Sequence, residues 1–394
     1  MNTLSSLALF SRLVMIACAM AAATNAQTVR SSESTTKTRV YVSSYTEKGL
    51  DGIYLAELDS STGDLRLIRI VAAVKKASFL ALHPMSHYLY STCEVDDFHD
   101  SKGGAVSAFR IDVATRSLTL LNSQSSGGEG PHYLSVDREG KNALVANYHG
   151  GSVAVLPIRA DGSLGAATSI VVHHGSSVDK NRQTGPHPHA IDVDPTNGFA
   201  FVPDLGLDKV LMYRFDAATG TLVQNNPSAL AFLPGAGPRH IAFHPSGKWA
   251  YVINELDSTI NELGFDSKTG VLRLMDTVST LPVDAKGENI TGEVEVHPNG
   301  RFLYGSNRGH DSIAVFGIDQ TTGRLNSLGH CPAGGRSPRN FNIDPSGRFL
   351  LSANLDSDSI TVLQIDPVSG KLSQTAHEIK VPQPFCIQFF SVSN

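Results

Sequence analysis

Short apolar runs alternate with polar turns along this chain, and one such unit repeats. An apolar strand runs into His83-Pro84, Asp137, Asp194-Pro195, His244-Pro245, His297-Pro298 or Asp344-Pro345. A polar turn follows, then an aromatic and β-branched strand such as HYLYST, FAFVPD, WAYVIN, FLYGSN or FLLSAN. The turns fall at positions 84, 138, 195, 245, 298 and 345, a period of about 50 residues. A third strand, for example SIAVFGI at 312–318, and a fourth complete each unit. Four strands in about 50 residues describe one blade of a β-propeller.

A second turn repeats in phase with the first. Asp59, Asp216, Asp266, Asp319 and Asp366 each open a D-x-x-[ST]-G turn, and residues 112–116 form a variant without the glycine. Asp and Thr bond local backbone and Gly accepts positive φ, so these predict hairpin connections. A calcium loop would need further oxygen ligands at alternate positions, and none are present. Innermost strands are predicted at 78–83, 132–137, 189–194, 240–244, 292–297, 340–344 and 385–390. That makes seven blades. Because residues 39–44 (RVYVSS) begin directly with a second-strand pattern, strand 385–390 (FCIQFF) is predicted to supply the inner strand of the N-terminal blade. The fold class is therefore all-β, a seven-bladed propeller of four-stranded antiparallel blades closed by its C-terminal strand.

Length alone would allow two ordinary domains, but closed β-architectures use 394 residues as one unit. The 35 Gly and 19 Pro are spread along the chain, as many turns require. A net charge of −5, with 18% charged residues and no basic run, argues against a nucleic-acid groove or a polybasic membrane patch. Residues 13–23 (LVMIACAMAAA) follow Arg12 and precede the small residues Thr24 and Ala26. This predicts a signal peptide over 1–26 and export to the periplasm or medium. The stretch is too short for a transmembrane segment, which takes roughly 20 residues. Residues 27–38, rich in Ser and Thr, read as a leader, and 39–394 as the propeller. The remaining cysteines, Cys93, Cys331 and Cys386, are odd in number and form no C-x-x-C pair. They read as buried small hydrophobes, and no structural zinc is implied.

In a propeller the starts of inner strands and the ends of second strands meet at one mouth. The first set contains His132, His189, Arg239, His240 and Arg339; the second contains Asn147, Tyr148, Asp204, Asn254, Glu255, Asn307, Arg308 and Asn354. The asparagines recur at one blade position and read as turn ties. His83, His244 and His297 lie at the opposite turn and read as caps. Arg239, Glu255 and Arg308 are not repeated in every blade, so the scaffold does not demand them. His189 follows a long connection, HHGSSVDKNRQTG, placed to arch over the mouth. His173, His174, His187 and His189 lack the helical spacing of a zinc motif.

Several segments, GPHPHAIDVDP, VPDLGLDKV, GAGPRHIAFHP, NELDST, SNRGHDSIAVF, SPRNFNIDPSGRFL and PFCIQFF, resemble the lactonase family that contains bacterial propeller-type 6-phosphogluconolactonase and the fungal carboxy-cis,cis-muconate cyclase. The likeness runs in order from about Arg39 to the C-terminus, and GPRH looks closer to the gluconolactonase branch. The resemblance implies a catalytic set of His189, Arg239, Glu255 and Arg308; His132, His240 and Arg339, which the topology gathers at the same mouth, are the expected substrate-binding residues. No metal ligand and no cofactor are assigned, and a metal-dependent lactonase using Glu255 with the channel asparagines stays open as an alternative.

Hydrolysis of a lactone needs a base for water, a donor for the oxyanion and a proton for the departing ring oxygen. His189 or Glu255 would serve as base, and the arginines would hold negative charge. Phosphogluconolactone is a cytoplasmic intermediate, so export points to an unphosphorylated sugar lactone or another small lactone as partner. Two alternatives use the same mouth: a muconate-type lactonising enzyme, and a non-catalytic ligand- or protein-binding propeller. Oligomeric state is not readable from the sequence.

Overall fold

Second strands such as FAFVPD, WAYVIN and FLLSAN are buried at every position. A strand covered on both faces by neighbouring sheets loses the polar alternation of a half-exposed strand and keeps only apolar or hydrogen-bonded residues. This is what stacking blades around a ring requires. The computed structural model describes residues 37–45, 51–98 and 101–390, so the predicted signal peptide lies outside the described residues.

Seven four-stranded antiparallel sheets are present among these residues. Blade 1 is built in the order Leu65–Ala72, Gly52–Asp59, Lys37–Ser44, Pro384–Phe390, so the C-terminal strand closes the ring as the innermost strand of the N-terminal blade. Val42 faces Ile387 and Val40 faces Phe389 across that seam. The first strand begins at Lys37, two residues ahead of the expected boundary, where Lys37 pairs with Asp59 and Thr38 with Leu58. Blades 2 to 7 follow in chain order, each strand pairing with the next.

The core is seven slabs rather than one centre. Each of the seven apolar clusters lies between two adjacent blades, as with Trp249 and Tyr251 of blade 5 against Leu303 and Phe316 of blade 6. Cys93, Cys331 and Cys386 are free and buried in these slabs.

Both periodic turns tie one blade to the next. His244 Nδ1 accepts the Ser246 N–H at 3.1 Å, which puts the ring proton on Nε2 for donation to the Gly300 carbonyl of the next blade at 2.8 Å. His83 and His297 repeat this geometry toward Gly140 and Gly347. At the second turn, Gly323 has φ +74° and lies flat against the Trp249 indole, so that a Cβ there would stand 2.5 Å from the ring. Only glycine fits both the conformation and the approach. In the variant turn Arg116 adopts φ 59° instead, with its guanidinium over the Phe390 ring at 4.2 Å.

Two inner strands are shorter than expected. Leu80–Leu82 replaces 78–83 because the Thr92 hydroxyl, 2.7 Å away, takes the Phe79 N–H. Asp192–Val193 replaces 189–194 because Pro203 on the partner strand has no N–H to donate, leaving the His189 N–H on the Pro203 carbonyl at 2.9 Å and a single bridge from Pro188 to Asp204 before the ladder starts.

Candidate active site

Two rings of residues build the mouth. The first comes from β-bulges. Pairing of the inner strand with its neighbour skips one residue after Pro131, Pro238, Pro338 and Pro384, and the skipped residues are His132, Arg239, Arg339 and Phe385. A bulge places an extra residue outside the ladder and re-aims its side chain. Proline suits the strand start because it has no donor to lose. The second ring comes from the ends of six second strands: Tyr45, Glu94, Tyr148, Glu255 and Leu355 stand just past theirs, and Arg308 is the last residue of its own. All six line one cavity of about 690 Å³, together with His132, His189, Arg339 and Phe385.

Glu255 is the electrostatic centre. Its Oε2 lies 3.0 Å from Arg239 Nε and 2.9 Å from Arg308 Nη2, and its Oε1 accepts from Arg182 Nη2 at 2.5 Å. Burial alone would raise its pKa, but the three guanidiniums outweigh that and hold it well below the usual carboxylate range. Arg239 is 2% exposed and does not reach the cavity; it lies beneath Glu255, with Nη1 on the Gly292 carbonyl at 2.7 Å. Burial and the nearby Arg308 push its pKa down to about 10. Arg308 does reach the cavity, with Nε and Nη2 both on the Thr291 carbonyl at 3.0 and 2.6 Å.

His189 also lines the cavity. Its Nε2 is 3.7 Å from Glu255 Oε2, beyond hydrogen-bond reach, and its buried Nδ1 has no partner. Burial and the charge of Arg239 push its pKa well below the ordinary imidazole value, so the ring is neutral at pH 7.

His132 and Arg339 both line the cavity and touch each other: Arg339 Nη2 lies 2.6 Å from His132 Nε2. His240 sits one layer lower. It donates to Glu293 Oε1 at 2.7 Å, packs edge-on to Tyr133, and has its pKa pushed down to about 4, chiefly by burial. It does not line the cavity.

The other residues of the mouth are structural. Asn147, Asn254, Asn307 and Asn354 are spent on neighbouring hydroxyls and carbonyls. His173 is held between Asp204 and Tyr213, and His187 bonds the Tyr148 carbonyl and stacks on its ring. No group of three or more His, Cys, Asp or Glu side chains suited to a metal occurs among the described residues.

Sequence reasoning missed Glu94, Tyr45 and Arg182. Glu94 and Tyr45 occupy the blade position of Glu255, a signal available in the repeat. Arg182 comes from the long connection, which Gln183 pins by bonding Asp208 at 2.7 Å. Asp208 also receives the Gly235 and Gly237 N–H groups at 2.7 Å each, so one carboxylate ties this connection to the turn that carries Arg239.

Comparison with known proteins agrees with this picture. A family model described as lactonase, 7-bladed beta-propeller, matches residues 39–389. A 6-phosphogluconolactonase of Bacillus subtilis is 36% identical over 349 residues, covering 89% of this chain and 97% of its own length. Among solved structures, the periplasmic gluconolactonase of Pseudomonas aeruginosa superposes with a TM-score of 0.84 at 31% identity, over 91% of this chain and 100% of its own. A Lactobacillus plantarum protein does so with a TM-score of 0.83 at 34% identity, over 90% and 100%.

Proposed function

The chain belongs to the seven-bladed β-propeller lactonase family, and from that premise we propose that it opens a sugar lactone or another small lactone by water attack in the cavity at the channel mouth. One observation carries the mechanism: a buried neutral imidazole, His189, lines the cavity without a hydrogen-bond partner, beside a carboxylate already saturated by arginines.

Those arginines decide between the two candidate bases. Glu255 gains little from accepting a proton while it neutralises three guanidiniums, so His189 is the base. A water held beside the imidazole attacks the lactone carbonyl carbon and its proton passes to the ring. The carbonyl π pair moves onto oxygen, facing the cationic wall of the cavity. When the tetrahedral intermediate collapses, the bond from carbon to ring oxygen breaks and the imidazolium returns the proton to that oxygen. The product is a hydroxy acid. Glu255, 3.7 Å from the ring, stabilises the transient imidazolium.

The direct test is a panel of sugar lactones, with carboxymuconate alongside, assayed against spontaneous hydrolysis. Hydrolysis above background on at least one sugar lactone is expected; cyclisation of carboxymuconate alone would favour the lactonising reading. The N-terminal pattern supports export, as does likeness to a relative named for the periplasm. Export in turn favours an unphosphorylated lactone. Cell fractionation should find the chain outside the cytoplasm with a mature mass starting at Gln27, and a cytoplasmic full-length chain would reject this part.

A further inference from the structure

We propose that Arg339 receives the oxyanion of the tetrahedral intermediate, and that Glu94 and His132 are positioning residues that aim its guanidinium. The inference rests on the lactone-hydrolysis reading and assigns the anion-stabilising role within it.

Four arginines surround the mouth, and three of them share one carboxylate. Arg182, Arg239 and Arg308 all lie within 3.0 Å of Glu255. Arg308 is further committed to the Thr291 carbonyl, and Arg239 does not reach the cavity. Arg339 differs. Among the described residues it has no ion pair, its Nε is buried without a hydrogen-bond partner, and one face of its guanidinium lies 4.1 Å over the Phe385 ring.

Among the described residues, the one hydrogen bond of its side chain fixes a chain of proton positions. A guanidinium can only donate, so His132 Nε2, 2.6 Å from Arg339 Nη2, is the acceptor. The imidazole proton must then be on Nδ1, which donates to Glu94 Oε1 at 2.6 Å. Tyr45 donates to the other oxygen of Glu94 at 2.9 Å. Burial opposes ionisation of Glu94, but these donors, His132 foremost, overcome it and hold its pKa low. Glu94 thus acts through a neutral ring, giving Arg339 direction without cancelling its charge.

The consequence is a cation that lacks an anion. Burial, Arg308 and Arg239 all make the charged form of Arg339 costly, and negative charge arriving in the cavity relieves that cost. A ground-state carbonyl brings little charge; an oxyanion brings a full one. The relief is therefore largest in the transition state, as rate acceleration demands.

The experiment uses the full chain and uncharged glucono-δ-lactone, so that no anionic substituent can account for an effect. Arg339→Ala is expected to lower kcat about 10²-fold or more with KM changed less than about threefold, and added guanidinium is expected to restore part of kcat. Glu94→Gln keeps an acceptor but no charge, and should lower kcat about tenfold at unchanged KM. Should Arg339→Ala fail to fold, Arg339→Lys keeps a stem on Phe385 and a charge but loses the fork geometry, and a kcat loss of about tenfold is then expected. Wild-type hydrolysis with near wild-type kcat in the Arg339 variants, or an effect on KM alone, would overturn the assignment and leave lactone hydrolysis standing. No wild-type rate above background would remove both.

Discussion

Replacing His189 with alanine is expected to lower kcat by about 10²- to 10⁴-fold while leaving the fold intact. The argument begins with what the side chain does not do. Among the described residues the imidazole makes no hydrogen bond, although it is only 3% exposed. An unpaired buried polar atom costs about 1–3 kcal/mol, so His189 works against stability and its presence calls for a chemical reason. Removing it trades lost packing for relief of that cost, and unfolding free energy should stay within about 1 kcal/mol of wild type. The pH profile gives a second readout. A base must be neutral, and burial with Arg239 depresses the pKa of this ring, so kcat/KM should rise with pH through a midpoint below 6.5 and be level above it. Wild-type turnover in the alanine variant, measured against spontaneous hydrolysis, would remove His189 from the mechanism.

The reading of the repeat succeeded because blade construction writes itself into every unit. Both turns recur with their Asp, Gly and His residues, and the doubly covered second strand leaves a run of apolar letters. The closing strand was legible for the same reason: residues 39–44 carry a second-strand pattern that needs an inner strand, and 385–390 carry an inner-strand pattern. Much of the mouth was legible too, since Glu255 and Arg308 each follow the asparagine that recurs near the end of a second strand. Glu94 escaped because its strand ends in Cys93, and Tyr45 because its strand ends in Ser44, so that marker is missing. Arg182 could not be placed. The path of its connection depends on Gln183 meeting Asp208 and His173 meeting Asp204, contacts between residues 25 and 31 positions apart with no periodic signature. Depth was equally hidden. Spacing shows which end of a strand a residue occupies, but not that Arg239 lies under Glu255 while Arg339 stands open to the cavity.

Replacing Glu255 with glutamine is expected to cost about 3–5 kcal/mol of stability and to lower turnover at least about 10²-fold. The amide offers one acceptor oxygen and no charge where three guanidiniums converge, leaving Arg239 and Arg308 buried and uncompensated. Losing one partner from a buried ionic cluster is far more costly than the cluster was ever worth as a whole. Loss of turnover has two sources, disordered arginines and a His189 imidazolium without its counter-charge. The pH dependence of stability identifies the electrostatic part. The folded pKa of Glu255 lies below its ordinary value of 4.5, so its contribution is complete above 4.5 and is lost as pH falls through the folded pKa. The gap in unfolding free energy between wild type and Glu255→Gln should therefore be constant above pH 5 and narrow below pH 4.5. Urea titrations of both proteins across that range measure it, and a gap that stays constant down to the acid limit would mean that the variant loses packing alone. Adding Arg239→Met to Glu255→Gln should then recover part of the lost stability, because it removes the cation that the missing carboxylate left stranded.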